Sequence, residues 1–302
     1  MINDVSDILK TKRYLDFKLE DKHIEELEEK GFCLIPPKKK RWDWIGGDPY
    51  EIRKIVDSLL IKEGIASGSE GKEEFTIDKK KKIEEKATRL GNLLNKNKIF
   101  KKISTLPEIL WGSFSIINND LKLSSVLFRQ PDHNSNEQEI HIDWTPRRNI
   151  KEKYQAAVSF LYLEDSHKKN GATIVIPKSH KNLGYPCEKI NPFEKQPDEI
   201  TIDAPRGSIL IMNALTWHKG GNNISGEKRG IIVVEYRNRK LKQLLNLKKY
   251  IDEETKKTFS EEENYLFGVR EQDFSQTEKS YGPGEEYRKW LKANPQYDFK
   301  MV

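Results

Sequence analysis

A β-sandwich or barrel with helices packed at both ends is the fold class this sequence predicts, and three observations carry it. Between residues 111 and 239 short apolar runs recur, each broken by turn residues, the pattern of strands folded back on one another. The first 110 residues instead place apolar side chains at helical spacing, and the chain after residue 239 turns polar and helical again. At 302 residues the chain is long enough for one large domain, and its length would also allow two. Only 35% of residues are hydrophobic and 34% are charged, but the apolar ones cluster into runs, so a packed core is expected and wholesale disorder is not. The expected organisation is a single domain, mainly β with α: a helical part over 1–110, a β core over 111–239 and a C-terminal helical cap or extension over 240–302.

The elements follow in order. Asp21 can cap a helix whose apolar side carries Ile24 and Leu27, and Gly31 stands where a helix stops. Phe32-Cys33-Leu34-Ile35 reads as a buried strand halted by Pro36-Pro37. A second helix is expected over 49–61 and a third over 77–97, with an exposed Gly- and Ser-rich loop over 64–72 between them. Strands are expected over 111–117, 124–129, 139–144, 156–163, 172–176, 207–212 and 230–237. Asn170-Gly171 and Gly220-Gly221-Asn222-Asn223 are turn signals. Leu241, Leu244, Leu245 and Leu247 suggest one more helix, and 261–302 is either a cap on the barrel or a contact surface for another subunit.

Composition narrows the classes of function. The net charge of +6 is modest for this length. It permits anionic substrates or weak nucleic-acid contact without requiring either. The lysine runs Lys38-Lys39-Lys40-Arg41 and Lys79-Lys80-Lys81-Lys82 read as solvated basic faces. Cys33 and Cys187 make neither a disulfide framework nor a CxxC metal motif, which fits a reducing cytoplasm. The N-terminus lacks the apolar core of a signal peptide, and no stretch is apolar for long enough to span a membrane.

The residues that carry chemistry are His141-Ile142-Asp143 and, 75 residues beyond Asp143, His218. On a strand, residues i and i+2 share a face, so His141 and Asp143 stand side by side. A second imidazole from a distant strand would complete two His and one carboxylate, a set that holds one face of Fe(II) and leaves the other positions for reactants.

In this setting the sequence resembles the phytanoyl-CoA dioxygenase branch of the Fe(II)/2-oxoglutarate-dependent oxygenases, from about Leu19 to Arg237. Four segments carry the resemblance: Leu19 through Pro36, Gln138 through Trp144, Asn170 through Lys181 with its Asn-Gly-x5-Pro-x-Ser-His pattern, and His218 with Arg229 eleven residues on. It implies a double-stranded β-helix (jelly-roll, cupin-like) core, iron bound by His141, Asp143 and His218, and Arg229 paired with the far carboxylate of 2-oxoglutarate. Arg229 suits that role because a planar guanidinium grips a carboxylate with two parallel hydrogen bonds. It also implies O2 as co-reactant, release of succinate and CO2, and hydroxylation or another oxidation of an unactivated C–H bond in a small organic molecule. The carboxylate at Asp143 stands where halogenating relatives have a small residue, and so favours hydroxylation. Gly220 departs from the pattern, because relatives often carry a cosubstrate-binding hydroxyl there.

Further residues have a functional and a plain reading. Phe160 aligns with an aromatic lining the cosubstrate pocket, or packs the core. Trp144 and Trp217 wall the site or pack the core. Arg147 or Arg148, at the barrel mouth, binds an anionic group of substrate, or both are solvated. His180 fixes a turn, while His23, His133 and His167 are expected to be exposed. Two rival functions stay open: an oxygenase acting on a protein, peptide or nucleic acid, suggested by the lysine-rich N-terminal third, and a non-catalytic metal-binding barrel.

Overall fold

The structure is a computed structural model and describes residues 2–63, 66–67, 87–269 and 283–298. Its strands are β1 (Phe32–Ile35), β2 (Ala66–Ser67), β3 (Ala87–Leu90), β4 (Leu121–Pro131), β5 (Ala156–Tyr162), β6 (Thr173–Val175), β7 (Ile200–Thr201), β8 (Ile209–Asn213), β9 (His218–Gly220) and β10 (Ile231–Asn238). Seven of them form one sheet in the order β1-β8-β5-β10-β4-β3-β2, and three form a second, β7-β6-β9. All pairings are antiparallel except that of β2 with β3. The two sheets face each other as the halves of a jelly roll.

Helices surround this core. Before it come α1 (Val5–Leu9), α2 (Lys12–Leu15), α3 (Asp21–Glu29), α4 (Lys39–Ile45), α5 (Pro49–Glu63), α6 (Lys98–Ser104) and α7 (Pro107–Ile117). After it come α8 (Leu247–Tyr250), α9 (Glu253–Lys257), α10 (Glu261–Phe267) and α11 (Pro283–Ala293). No helix of the described residues is long and apolar enough to cross a membrane.

The large sheet is buried on both faces, which is why its central strands read as unbroken apolar runs. On β5, Val158, Phe160 and Tyr162 face the second sheet, while Ala157 and Leu161 face the helices. On β8, Leu210 and Met212 point inward and Ile209 and Ile211 outward; on β10 the same split separates Ile231 from Ile232 and Val234. The outward set joins Leu27, Ile52, Phe100, Ile109 and Leu110 in the main core. Arg41 is fully buried there. It pairs with Glu108 at 3.0 Å and also donates to the carbonyls of Gly207 and Pro36, tying the α4 layer to the barrel.

Four local expectations are corrected. Residues 111–117 belong to α7 rather than a strand: Pro107 opens the helix, and it is buried on nearly every side, so no periodic polar face marks it. Gly112 lets it approach β8, where a Cβ would stand 2.6 Å from Ile211 Cδ1. The helix expected over 77–97 gives way at Ala87 to β3, and residues 93–95 form a single 3-10 turn; 77–86 lie outside the described residues, as does the lysine run at 79–82 and all but 66–67 of the loop expected at 64–72. Residues 139–144 are not a regular strand, although their backbone is laced to β9 and its approach. His23 is buried, not exposed, whereas His133 is exposed and His167 pairs with Glu227 at 2.7 Å. Gly31 ends α3 at φ +89°, as its position predicts.

Candidate active site

Residues 138–143 reach the second sheet through a ladder of backbone bonds. The Gln138 N–H donates to Gly220 O, and the His141 and His218 backbones exchange N–H···O bonds at 2.9 and 3.0 Å. The Asp143 N–H donates to Ala214 O at 2.8 Å, while the intervening Ile140 N–H goes to Pro192 O on the other side. The pairing is an isolated bridge and not a continuous ladder, but the i, i+2 alternation that aims His141 and Asp143 together survives.

His141, Asp143 and His218 each offer a ligand atom, and those atoms all lie within 4.8 Å of one another. His218 Nε2 stands 3.3 Å and His141 Nε2 4.0 Å from the Asp143 carboxylate oxygens. Each imidazole is pinned at its far nitrogen: His141 Nδ1 lies 2.9 Å from Glu139 O, and His218 Nδ1 2.9 Å from Thr216 O. A backbone carbonyl can only accept, so both Nδ1 atoms carry the proton and both Nε2 atoms present a lone pair when neutral. This is the donor set and tautomer that a divalent iron requires, so the residues fit the metal. Burial, helped by His218, brings the His141 pKa down to about 4. Burial opposes charge on Asp143 and His218 too, but their mutual attraction outweighs it, lowering the acid to about 2 and raising the imidazole.

The three residues open into a cavity of about 530 Å³ between the two sheets, a size that suits a small organic ligand. Phe160 lines it, its ring 6.4 Å from that of His218. Arg229 lines it as well, buried to 4% exposure, and donates to Gly171 O at 2.6 Å. Its Nε is buried without a hydrogen-bond partner. An orphaned guanidinium donor on a cavity wall fits a carboxylate ligand, since leaving it unmet costs about 1–3 kcal/mol.

The Asn-Gly-x5-Pro-x-Ser-His segment supports these residues from behind. Gly171 has φ +83°, and a Cβ there would lie 2.9 Å from Gly221 O, so only glycine can place the carbonyl that orients Arg229. Ser179 Oγ accepts the Trp217 N–H at 2.8 Å, beside His218. His180 is buried against the end of α3, with Nε2 3.2 Å from Glu28 O.

The remaining expected contacts lie elsewhere. Arg147 stacks on Tyr154 at 4.4 Å and donates to the carbonyls of Ile150, Glu152, His180 and Lys181. Arg148 is held by Glu188 at 2.8 Å. Trp144 packs under the Arg237 guanidinium at 4.4 Å, and Trp217 is buried. None of the four lines the cavity. At Gly220 the missing side chain is replaced by another: the Gln138 amide oxygen accepts the Gly220 N–H and occupies the space a Cβ would take, 2.7 Å away. Gln138, Arg89, Arg129 and Glu235 also line the cavity. For Arg129 the signal was present in sequence, since Ser125, Leu127 and Arg129 alternate along an expected strand.

The profile of the phytanoyl-CoA dioxygenase family matches residues 28–231, about two thirds of the sequence. The chain belongs to the phytanoyl-CoA dioxygenase family. The family is, by its description, one of dioxygenases. Solved structures with the same architecture include HygX from Streptomyces hygroscopicus with nickel and 2-oxoglutarate bound, 14% identical, TM-score 0.57, covering 75% of this chain and 90% of that one. Another is the carbocyclase SnoK from nogalamycin biosynthesis, 15% identical, TM-score 0.53, covering 73% and 84%. At such identities the likeness shows the shared fold. Uncharacterized proteins of Mycobacterium tuberculosis and Mycobacterium bovis are 29% identical over 77 residues, 25% of this chain and only 27% of each relative's length.

Proposed function

We propose that this phytanoyl-CoA dioxygenase family member hydroxylates, or otherwise oxidises, an unactivated C–H bond of a small organic molecule, with His141, Asp143 and His218 holding iron and Arg229 holding the far carboxylate of 2-oxoglutarate. The observation that carries this reading is the pinning of both Nδ1 atoms, which leaves two Nε2 lone pairs and a carboxylate converging on one point of a cavity that also contains an unmet guanidinium donor. Iron with 2-oxoglutarate and O2 supplies the oxidising power when bound.

The chain's own residues bind, orient and exclude. Glu139 O and Thr216 O hold the rings so that no tautomer or rotamer change precedes metal binding. Gly171 O fixes one arm of Arg229, which leaves the rest of the fork for the cosubstrate. Phe160, Val158, Ile231 and Val233 surround the ligand with apolar wall and limit water. HygX and the nogalamycin enzymes, solved with 2-oxoglutarate or with small-molecule substrates named in their descriptions, support a small-molecule role. Among the described residues, Lys38 pairs with Glu20 and Lys40 lies over the Phe17 ring, which leaves less of the 38–41 run for a macromolecular partner. A cytoplasmic setting is part of this reading, since both thiols are free and buried.

The test is metal titration by calorimetry beside turnover of 2-oxoglutarate to succinate. Wild-type protein binds Fe(II) and forms succinate, and His218→Ala loses both. Retention of tight metal binding by that variant would place the metal elsewhere and sink the assignment.

A further inference from the structure

Gly220 brings no side chain to the cavity, but the strand beside it brings a hydroxyl. In the antiparallel pairing of β6 with β9, Thr173 stands directly across from Gly220, and Val175 across from His218. Directly opposed residues hold their Cβ positions about 5 Å apart, so a side chain at 173 serves much of the space that one at 220 would fill. The strand alternates as this requires. Val175 belongs to the inner core between the sheets, and Thr173, two residues earlier on the same face, lines the cavity. Thr173 is buried to 3% exposure.

Tyr162, fully buried on β5, lies behind this threonine, and its hydroxyl donates to Thr173 Oγ1 at 3.4 Å. Two hydroxyls joined by one bond own two protons, so the Thr173 proton is left to donate. Among the described residues the Thr173 side chain makes no other hydrogen bond. A buried donor without an acceptor is costly, and the cavity is where an acceptor has room. Arg229 belongs to the same end of the cavity. It donates to Gly171 O, two residues before Thr173, and it acts electrostatically on Tyr162. Glu164, the acid in electrostatic reach of Arg229, is already taken by the Gly230 N–H at 2.6 Å and by Arg53 at 3.4 Å. The Arg229 Nε has no partner. A cationic donor and a neutral one, both unmet at one end of a cavity, match a carboxylate, which accepts on both its oxygens.

We infer that Thr173 donates to the far carboxylate of 2-oxoglutarate beside Arg229, and that Tyr162 is the positioning residue that turns the threonine proton toward it. The hydroxyl missing at position 220 is thereby supplied from the neighbouring strand. This rests on the oxygenase reading for the identity of the ligand.

The test is keto-acid binding to the purified full chain, with zinc standing in for iron so that nothing turns over. Calorimetry reads tight binding and the rise in Tm reads weak binding. Two probes are compared: 2-oxoglutarate, and 2-oxopentanoate, which has the same carbon chain with a methyl in place of the far carboxylate. Thr173→Val keeps the shape of the side chain and removes the hydroxyl. It is expected to weaken 2-oxoglutarate binding about tenfold or more, with zinc and 2-oxopentanoate binding unchanged. Thr173→Ser, which keeps the hydroxyl, recovers most of that loss, and Tyr162→Phe shows a smaller loss confined to 2-oxoglutarate. Thr173→Ala removes the same hydroxyl and carries the comparison if valine impairs folding. Unchanged 2-oxoglutarate affinity without the hydroxyl overturns the proposal, because no bond was made. An equal loss for both keto acids also overturns it, because the hydroxyl then serves the fold or the metal end. So does a serine variant no better than valine. Wild-type protein that fails to bind zinc, or that does not prefer 2-oxoglutarate to 2-oxopentanoate, overturns the cosubstrate reading itself and this proposal with it.

Discussion

At the residue scale, Arg229 is where the proposed cosubstrate site can be tested apart from the proposed metal site. Its guanidinium is buried and committed in part to Gly171 O, with Tyr162 and Glu164 in electrostatic reach. Arg229→Gln is expected to raise the KM for 2-oxoglutarate about ten- to a hundredfold, the loss of a charge-assisted pair, while calorimetry finds Fe(II) affinity unchanged. His180 offers a second prediction. Burial lowers its pKa from the ordinary 6.5 to about 4. The unfolded chain then binds the proton that the folded chain refuses, so stability is complete above pH 6.5 and declines as pH falls toward 4. The decline from this residue is at most about 3 kcal/mol. Urea unfolding of wild type and His180→Gln across that range checks it: the difference between the two should shrink as pH drops, and a constant difference would reject it.

At the element scale, the turn at Gly171 links loop geometry to the site. Gly171→Ala forces a Cβ against Gly221 O in a left-handed conformation, at a cost of about 1–3 kcal/mol, and displaces the carbonyl that aims Arg229. Lower stability in urea together with a raised KM for 2-oxoglutarate is expected; a stability loss with unchanged KM would show that the turn does not orient the arginine. The same scale shows what the sequence reveals and what it hides. His141, Asp143 and His218 were legible because i, i+2 alternation persists even where the ladder over 139–144 is irregular. The Asn-Gly turn was legible because its chemistry is local. Helix α7 was not, because burial on nearly all sides erases the polar face that marks a helical period. Strand β3 was not, because Thr88 and Leu90 turn to the core and Arg89 to the cavity only once β4 lies beside them. The packing of His23 likewise depends on what α3 meets, which no short window contains.

At the scale of the whole molecule, the buried Arg41 ties α4 to α7 through Glu108 and to the barrel through the carbonyl of Gly207. Removing one partner strands a charge in the core, so Arg41→Met should cost about 3–5 kcal/mol in urea unfolding, and adding Glu108→Leu should recover much of it. A double variant no better than the single would mean that the carbonyls of Gly207 and Pro36, not the acid, are what the guanidinium serves.

The cavity is assembled from stretches of chain with separate duties. The imidazoles and the acid hang on bonds between 138–143 and 214–220, whereas Arg89 arrives on a short strand from the helical N-terminal part, added at the flank of the large sheet. Substitutions in that strand can reshape one wall of the cavity while the bonds that bring the imidazoles and the acid together stay intact. The architecture therefore lets that wall vary apart from the point where the three side chains meet.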